Sequence, residues 1–243
     1  MKINRNKKIG DIVAENIETA HVFKKSGIDF CCGGGCKISD ACDKKKINYI
    51  QLKKELLSVE NPKKEFDYDS WDLNFLIDHI VNVHHKYVLE SIPLIKEYSK
   101  KVSKVHGHNH EEIFEIEIYF NELAADLINH IKKEEIILFP YIKRLNNFIE
   151  NNNSCSTPIF RSVINPIRML EYEHKFAAQI IKKIKKITNE YSAPEGACNT
   201  FKALYSKLKE FDQDLFTHIH LENNILHTKA IELERKLKFG SKQ

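Results

Sequence analysis

The sequence predicts an all-α protein, in which an up-down-up-down four-helix bundle follows a small N-terminal helical unit. Gly and Pro are scarce, with 8 and 6 among 243 residues, and this favours long helices. Apolar residues recur at helical spacing from Trp71 onward. Two segments, ELAADLINHIKKEEIIL at 122–138 and EFDQDLFTHIHLENNIL at 210–226, share the pattern E-x3-D-L-x2-H-I-x2-E-x2-I-L. The repeat indicates two equivalent helices, each with a His and a Glu on one face.

The N-terminal unit is predicted to span residues 1–58, with short helices around 9–25 and 46–58 and a Cys- and Gly-containing loop at 29–36. The polar stretch 59–70 contains Pro62 and lacks helical periodicity, so it is predicted to be a linker.

The bundle is predicted to occupy residues 71–237, before a short tail at 238–243. Its four helices are expected at about 71–103, 111–148, 159–190 and 196–237. Polar or Pro/Gly segments separate them: KVHGHNH, NNNSCSTP and SAPEG. Because the loops are short, neighbouring helices should run antiparallel.

Composition excludes some classes of function. The net charge is only +4 and Lys residues are spread along the chain, so nucleic-acid binding is not indicated. No apolar run approaches the roughly 18 residues that span a membrane. The first residues are basic but lack an apolar core, so no secretory signal is expected and a cytoplasmic location is predicted.

Polar residues interrupt the apolar stripe of every bundle helix. The stripe of the second helix includes Leu127 and Ile137, yet His130 and Glu134 lie within it. The corresponding positions are His85 in the first helix, His174 in the third, and His218 and Glu222 in the fourth. The separation of 45 residues between His85 and His130, and of 44 between His174 and His218, returns each second helix to the level of the first. Each consecutive helix pair is therefore predicted to supply half of one site.

This predicted site combines four imidazoles with two carboxylates and has no thiolate. Such a set suits two first-row metal ions bridged by carboxylates. Iron is favoured and manganese comes second, whereas structural zinc usually takes four ligands and often Cys. The alternative is a set of buried His residues hydrogen-bonded to acids. Matched register across six residues favours metal, because buried acids need compensating cations.

Four acids near the repeats are candidates for orienting the metal-bound imidazoles. Asp126 and Asp214 precede the ligand His of each repeat by four residues, and Glu122 and Glu210 lie one turn earlier. Carboxylates often accept the second N–H of a metal-bound imidazole. The alternative is that these acids lie on the helix surface and pair with Lys, and the sequence leaves both open.

The other His residues are assigned weaker roles. His84 and His220 sit beside ligands and should point away from the site. For HGHNH at 106–110, a solvated loop is favoured over a second metal site.

The loop GIDFCCGGGCKISDAC carries Cys31, Cys32, Cys36 and Cys42. A reactive thiol pair, a Cys-rich metal site and inert packing are all considered. The spacing is irregular for zinc, and backbone N–H groups in a Gly loop can stabilise a thiolate. Reactive thiols at Cys31 and Cys32 are therefore favoured.

Several motifs together resemble one known family. The DFCCGG motif, joined to a hemerythrin-like bundle with KEEIILFP at 133–140, EYEH at 171–174 and LENN at 221–224, resembles the iron–sulfur cluster repair di-iron proteins, the RIC family. The resemblance covers nearly the whole chain, and Cys31 and Cys32 match the family's Cys pair.

The resemblance implies a stress-response protein. It would use a non-haem di-iron centre to help restore iron–sulfur clusters damaged by oxidative or nitrosative stress, by supplying iron to damaged or apo iron–sulfur proteins. Glu134 and Glu222 would bridge the two irons together with an oxo or hydroxo group. The implied ligands are His85, His130, Glu134, His174, His218 and Glu222.

One departure affects the functional alternatives. Oxygen-carrying hemerythrins have a fifth His, and the corresponding position here is Ala178. More open metal positions would favour exogenous ligands or iron release over oxygen carriage. A nitric oxide- or oxygen-binding or reducing enzyme, and an oxygen or redox sensor, are kept as alternatives. The oligomeric state, a homodimer included, is left open.

Overall fold

A computed structural model of the chain describes residues 3–16, 19–30, 34–59, 67–151 and 162–240. Within these ranges the regular elements are helical, and one isolated β-bridge joins Lys8 to Lys37. The all-α prediction is confirmed. None of the described helices is both long enough and apolar enough to cross a bilayer.

The N-terminal unit has more helices than the sequence predicted. They are α1 (Ile9–Glu15), α2 (Thr19–Lys25), α3 (Ile38–Lys45) and α4 (Tyr49–Ser58). The first predicted helix is divided after α1 because Asn16 is extended, with φ −152°. Lys46 ends α3 in the left-handed region, and the Asn48 side chain then caps α4 by accepting from the Ile50 and Gln51 amides.

Within its described residues the bundle has four long helices, three of which contain a π-helical turn. The first is α5 (Leu73–His79), a π turn (Ile80–His85) and α6 (Lys86–His106); the second is α7 (Glu112–Lys133), a π turn (Glu134–Leu138) and α8 (Phe139–Asn151). The third is α9 (Ile164–Ile187), without a π turn; the fourth is α10 (Asn199–His220), a π turn (Leu221–Leu226) and α11 (His227–Gly240).

The π turns lie at the predicted ligands. The Phe139 amide donates to the Glu134 carbonyl five residues back, and the His227 amide donates in the same way to Glu222. Pro140 has no N–H for the carbonyl of Ile136, so a regular α-helical bond cannot form there. The extra residue in the π turn changes which of the following side chains face the core, compared with an ideal α-helix. Leu138 is consequently buried, and Ile137, which the periodicity placed in the core, is 46% exposed.

Helix packing follows the predicted antiparallel order. The first helix contacts the second at both ends, α5 against α8 and α6 against α7. In turn, α6 packs against α10, and α9 packs against α7 and α10. The layer that holds the predicted ligands divides the buried apolar residues into two clusters. Along the first helix, for example, Ile80 belongs to one cluster and Val88 to the other.

The end of the predicted linker is packed on the bundle. Residues 60–66 of the predicted 59–70 segment lie outside the described residues, but Tyr68–Ser70 form a 3-10 helix. The rings of Tyr68 and Trp71 lie 5.7 and 5.0 Å from that of His79. Aromatic packing, which periodicity does not report, therefore attaches this segment to the first bundle helix.

The N-terminal unit contacts the fourth bundle helix closely. The Phe30 ring lies 5.8 Å from Phe216, and the Asn224 side-chain amide donates to the Phe30 carbonyl at 3.4 Å. A Cβ added to Gly34 would lie 2.5 Å from Asn224 Oδ1 and would also meet the Phe30 carbonyl. This approach requires glycine because there is no room for any side chain.

Gly34→Ala should loosen the contact between the N-terminal unit and the bundle. The added methyl overlaps Asn224 and Phe30, and overpacking of this kind costs about 1–3 kcal/mol. We expect a lower midpoint of thermal unfolding and faster proteolytic cleavage of the N-terminal unit. Gly35→Ala is the matched control, since a Cβ at Gly35 meets no atom within 4 Å. Equal behaviour of the two variants would contradict the contact.

Candidate metal centre

The six side chains predicted as ligands converge in the middle of the bundle. None of them is more than 2% exposed, and both carboxylates are fully buried. Among the described residues, two groups of side chains could hold a metal ion. They are His85, Glu134, His218 and Glu222, and His130, Glu134, His174 and Glu222. Both carboxylates belong to both groups, so each of them is placed to bridge two ions.

Glu222 spans the two groups with its two oxygens. Its Oε1 lies 2.9 Å from His218 Nε2 and 3.5 Å from His85 Nε2. Its Oε2 lies 3.1 Å from His174 Nε2. Glu134 directs Oε2 at both groups, 3.4 Å from His85 Nε2 and 3.3 Å from His130 Nε2.

The two groups do not follow the repeat in the sequence. The repeat predicted that each consecutive helix pair supplies half of the site. Instead, His85 of the first helix joins His218 of the fourth, and His130 of the second joins His174 of the third. The first helix packs against the fourth as well as the second, so a half-site can form between helices that are distant in sequence.

Three of the four imidazoles are oriented by a side chain from the next bundle helix. Their Nδ1 atoms lie within hydrogen-bonding distance of an oxygen, for His85 on Glu135 at 2.8 Å, for His130 on Glu173 at 2.9 Å and for His174 on Asn223 at 2.8 Å. Each bond requires a proton on Nδ1, which leaves the Nε2 lone pair directed at the centre.

Each orienting residue is next to a ligand in sequence. Glu135 follows Glu134, Glu173 precedes His174 and Asn223 follows Glu222. The segments KEEIIL, EYEH and LENN therefore contain the orienting residues beside the ligands. The sequence analysis did not identify their role, because the imidazole that each one orients lies on another helix.

In the described part of the chain, none of the four acids predicted to orient imidazoles forms a hydrogen bond with a ligand imidazole. Asp126 and Glu122 are exposed, and Glu173 takes the position at His130 that was expected for Asp126. Glu210 bonds Lys207 at 2.8 Å on the surface. Asp214 lies 2.8 Å from Nδ1 of His84. The spacing of four residues correctly groups positions on one helix face, but it does not reveal which face a neighbouring helix covers.

His84 and His220 lie inside the protein, contrary to the sequence-based expectation. His84 is 5% exposed and its ring stacks on His218 at 5.8 Å. His220 is 1% exposed beneath Phe30, and burial lowers the pKa of its imidazole to about 4. Packing of the fourth helix against the first helix and the N-terminal unit encloses both rings.

The arrangement of nitrogen atoms fits a bound cation. Nε2 of His130 lies 2.8 Å from Nε2 of His174. Since both rings carry their proton on Nδ1 when neutral, two lone pairs would face each other at this distance. A proton or a metal ion between them removes the repulsion. Neither oxygen of Glu134 has a hydrogen bond within the described chain, and a cation would satisfy them as well.

Electrostatics favour positive charge at the same point. Burial disfavours a charged imidazole, but the close approach and negative charges of Glu134 and Glu222 outweigh this effect and raise the pKa of His85 to about 10. The His130 pKa rises to about 10 for the same reason, with Glu134 as the main opposing charge. Burial also opposes ionisation of Glu222, yet His218 and the other imidazoles hold the Glu222 pKa well below its usual range. In the protein alone, the raised pKa values of His85 and His130 favour protons on these two imidazoles, which oppose the charge of the buried carboxylates.

The cysteines fall in different environments. Cys36 is exposed and Cys42 is buried, and burial raises the pKa of the Cys42 thiol. Cys31 and Cys32, predicted as reactive thiols, lie outside the described residues.

Two known families match successive parts of the chain. Residues 5–60 match a domain of unknown function (DUF542), and residues 76–230 match the hemerythrin HHE cation binding domain. The bundle and its buried His/Glu cluster therefore define a cation-binding protein of the hemerythrin class.

Curated relatives resemble the chain over nearly its whole length. It is 32% identical over 227 residues to a probable iron–sulfur cluster repair protein of Haemophilus influenzae, covering 92% of this chain and 96% of that protein. It is also 32% identical over 231 residues to the iron–sulfur cluster repair protein YtfE of Yersinia pseudotuberculosis and of Yersinia pestis, covering 95% of this chain and 99% of those proteins. The chain belongs to the family of iron–sulfur cluster repair proteins, and the resemblance drawn from its motifs is confirmed.

Glu173→Ala should weaken metal binding although Glu173 is not a predicted ligand. Loss of the partner of a ligand imidazole typically lowers metal affinity about 10–100-fold. Competition with a chromophoric chelator would measure the affinity. Asp126→Ala is the matched control, because Asp126 lines the same surface groove without bonding His130. A similar loss in both variants would contradict the assignment.

Metal removal should destabilise the bundle. Binding to the folded state alone stabilises it by about 2.7 kcal/mol when the free ion is at 100 times its Kd. We expect chelator to lower the midpoint of thermal unfolding and added Fe²⁺, under anaerobic conditions, to restore it. In a Glu134→Gln/Glu222→Gln double variant, the midpoint should not respond to metal. A full response in that variant would exclude this centre as the binding site.

Proposed function

We propose that this protein holds two iron ions with His85, His130, Glu134, His174, His218 and Glu222, and that it supplies iron for repair of damaged or apo iron–sulfur proteins. The observation that carries the proposal is the sharing of two fully buried carboxylates between two four-residue groups. The names of the curated relatives support the repair role.

Iron is proposed over other metals because of the donor set. Imidazole nitrogen with carboxylate oxygen suits iron, and in helical bundles carboxylates commonly bridge two irons or two manganese ions. Manganese is the second choice. Iron bound here would supply Lewis acidity and one-electron redox chemistry, and iron is also the cargo in the proposed role.

Several features support a site that releases its ions. Glu135 and Glu173, which orient His85 and His130, have side chains that are 38% and 28% exposed. Glu173 also pairs with Lys133, so it has an alternative partner at the surface. When such a partly exposed side chain moves away, the imidazole loses the hydrogen bond that orients it, while the apolar core stays packed. Ala178 adds no fifth His, which leaves fewer protein ligands to hold the ions.

The two proposed domains would have different roles. Residues 1–58 would carry the thiols and residues 71–237 the metal centre, with 59–70 between them; the family matches at 5–60 and 76–230 support this division. Phe30 and Gly34, which flank Cys31 and Cys32 in sequence, both approach Asn224 in the same π turn as Glu222. The reactivity of the two thiols stays a prediction.

A client-repair assay tests the proposal. Iron-loaded protein, expected to hold about two irons per chain from its two ligand groups, is incubated anaerobically with an apo iron–sulfur enzyme, sulfide and thiol. Recovery of enzyme activity should exceed that from the same amount of free Fe²⁺ in the presence of a competing chelator. Glu222→Ala should lose most bound iron and most of the recovery, whereas Asp126→Ala should retain both.

Two outcomes would oppose iron supply. One is recovery no better than that from free iron. The other is sustained nitric oxide consumption by reduced protein without client recovery, which would support the enzymatic alternative. Cys31→Ser/Cys32→Ser tests the thiols separately, because this variant should keep its iron and lose recovery if the thiols take part.

A further inference from the structure

A polar cavity of about 250 Å³ lies where the N-terminal unit meets the bundle. Its lining includes residues of both parts, with Lys8, Asp11 and Gly35 on the N-terminal unit and Glu171, Lys175 and Asn223 on the bundle. Cavities that hold drug-sized ligands have volumes of about 300–1,000 Å³, so this one suits a smaller molecule. None of these residues is a ligand in the His/Glu cluster, so a molecule in the cavity could bind without contacting the metal.

The wall on the N-terminal unit is held against the bundle by its own packing. The Gly10 amide donates to the Gly34 carbonyl at 2.8 Å, and Lys8 is joined to Lys37 in the β-bridge. A Cβ on Gly10 would lie 2.7 Å from Asn224 Oδ1, and a Cβ on Gly34 would lie 2.5 Å from the same atom. Both backbones therefore pack directly on Asn224, and the cavity is formed before any ligand enters it.

Each wall of the cavity presents one ammonium group and one carboxylate. Lys8 and Asp11 are exposed on the N-terminal unit, and Glu171 and Lys175 lie one helical turn apart on α9. Within the described ranges, Lys8, Asp11 and Lys175 form no ion pair shorter than 4 Å with another side chain. The cavity thus offers charges of both signs to a ligand, and a ligand with only one charge would face a like charge on each wall.

Two of the bundle side chains at the cavity are fixed by buried imidazoles. Oε1 of Glu171 lies 3.5 Å from Nδ1 of His227, which is 1% exposed. Asn223 accepts from Nδ1 of His174 through its Oδ1 at 2.8 Å. This bond occupies the carbonyl oxygen of Asn223 and leaves the two N–H groups of its amide for another partner. A carboxylate is a suitable partner, because it only accepts hydrogen bonds.

Gly35 leaves open space on the N-terminal wall. A Cβ at this position meets no atom within 4 Å, although a Cβ at the preceding Gly34 would overlap Asn224 and the Phe30 carbonyl. The space beside Gly35 is therefore available to a ligand. A larger side chain introduced at Gly35 should occupy that space without overlapping the protein, and this provides a way to block the cavity.

We propose that this cavity binds a free α-amino acid with a small polar side chain, such as serine or cysteine. The carboxylate of the amino acid would pair with the two ammonium groups, of Lys8 and Lys175, and accept from the Asn223 amide. Its ammonium group would pair with Asp11 and Glu171. Hydrogen bonds between ionised groups are stronger than those between neutral groups, and a zwitterion makes them with both walls at once. The small volume restricts the side chain of the ligand.

Isothermal titration calorimetry of the full-length, iron-loaded protein with L-serine tests the site. We expect saturable binding with one molecule per chain. Ethanolamine lacks the carboxylate of serine and 3-hydroxypropionate lacks its ammonium group, so each should bind at least tenfold more weakly. L-cysteine should also bind, because its side chain has nearly the same size. The proposal is overturned if neither amino acid binds saturably, or if ethanolamine or 3-hydroxypropionate binds as tightly as serine.

Substitutions at the cavity place the bound amino acid. Gly35→Leu should abolish serine binding by filling the cavity, and Lys175→Ala and Asp11→Asn should each weaken the Kd at least tenfold. Lys182→Ala is the matched control, because Lys182 is exposed on α9 and does not line the cavity. Serine binding that is the same in Lys175→Ala, Asp11→Asn and Lys182→Ala would place the ligand elsewhere and overturn the proposal.

A metal-deficient variant separates this site from the His/Glu cluster. An amino acid can also coordinate iron directly, through its amino and carboxylate groups. Glu134→Gln/Glu222→Gln should hold little metal and yet bind serine with a Kd close to that of the parent protein. Loss of serine binding in this variant, with Gly35→Leu still binding, would show coordination to iron and contradict the cavity site. The result does not depend on whether the protein supplies iron to clients.

Discussion

The rest of the structure depends on one constraint, which is the complete burial of two carboxylates in the middle of the helical bundle. Glu134 and Glu222 interrupt the apolar core and divide it into two clusters. A buried charge is tolerated only with compensating charge and hydrogen bonds. Four imidazoles provide that environment, and positive charge between them, from protons or metal ions, completes it. The same arrangement that makes the core costly to assemble makes it selective for cations.

Orientation of the imidazoles links this constraint to the bundle as a whole. Glu135, Glu173 and Asn223 each hold an imidazole that belongs to the preceding helix. The centre is therefore correct only when all four helices are in register. The π turns that begin at Glu134 and include Glu222 adjust that register by one residue after each carboxylate. Metal binding, helix register and core packing are consequently coupled.

Much of the fold was predictable because it depends on local pattern. Helical periodicity and scarce Gly and Pro predicted four long helices, and the repeat with its matched spacings identified the six side chains that converge. The failures concern relations between helices. The acids expected to orient the imidazoles were chosen from the ligand's own helix, Asp126 for His130, whereas the observed partner, Glu173, lies on another helix. Ile137 followed the ideal period, which the π turn shifts.

The sequence by itself determined the fold class, the family and the residues that meet at the centre, because these follow from composition, periodicity and motif. Only the tertiary structure decided which ligands share an ion, since His85 is grouped with His218 rather than with His130, its neighbour in the repeat. It also decided that His106 meets Cys198. Such pairings depend on which helix faces pack together, and side-chain packing sets this across distances that no local pattern spans.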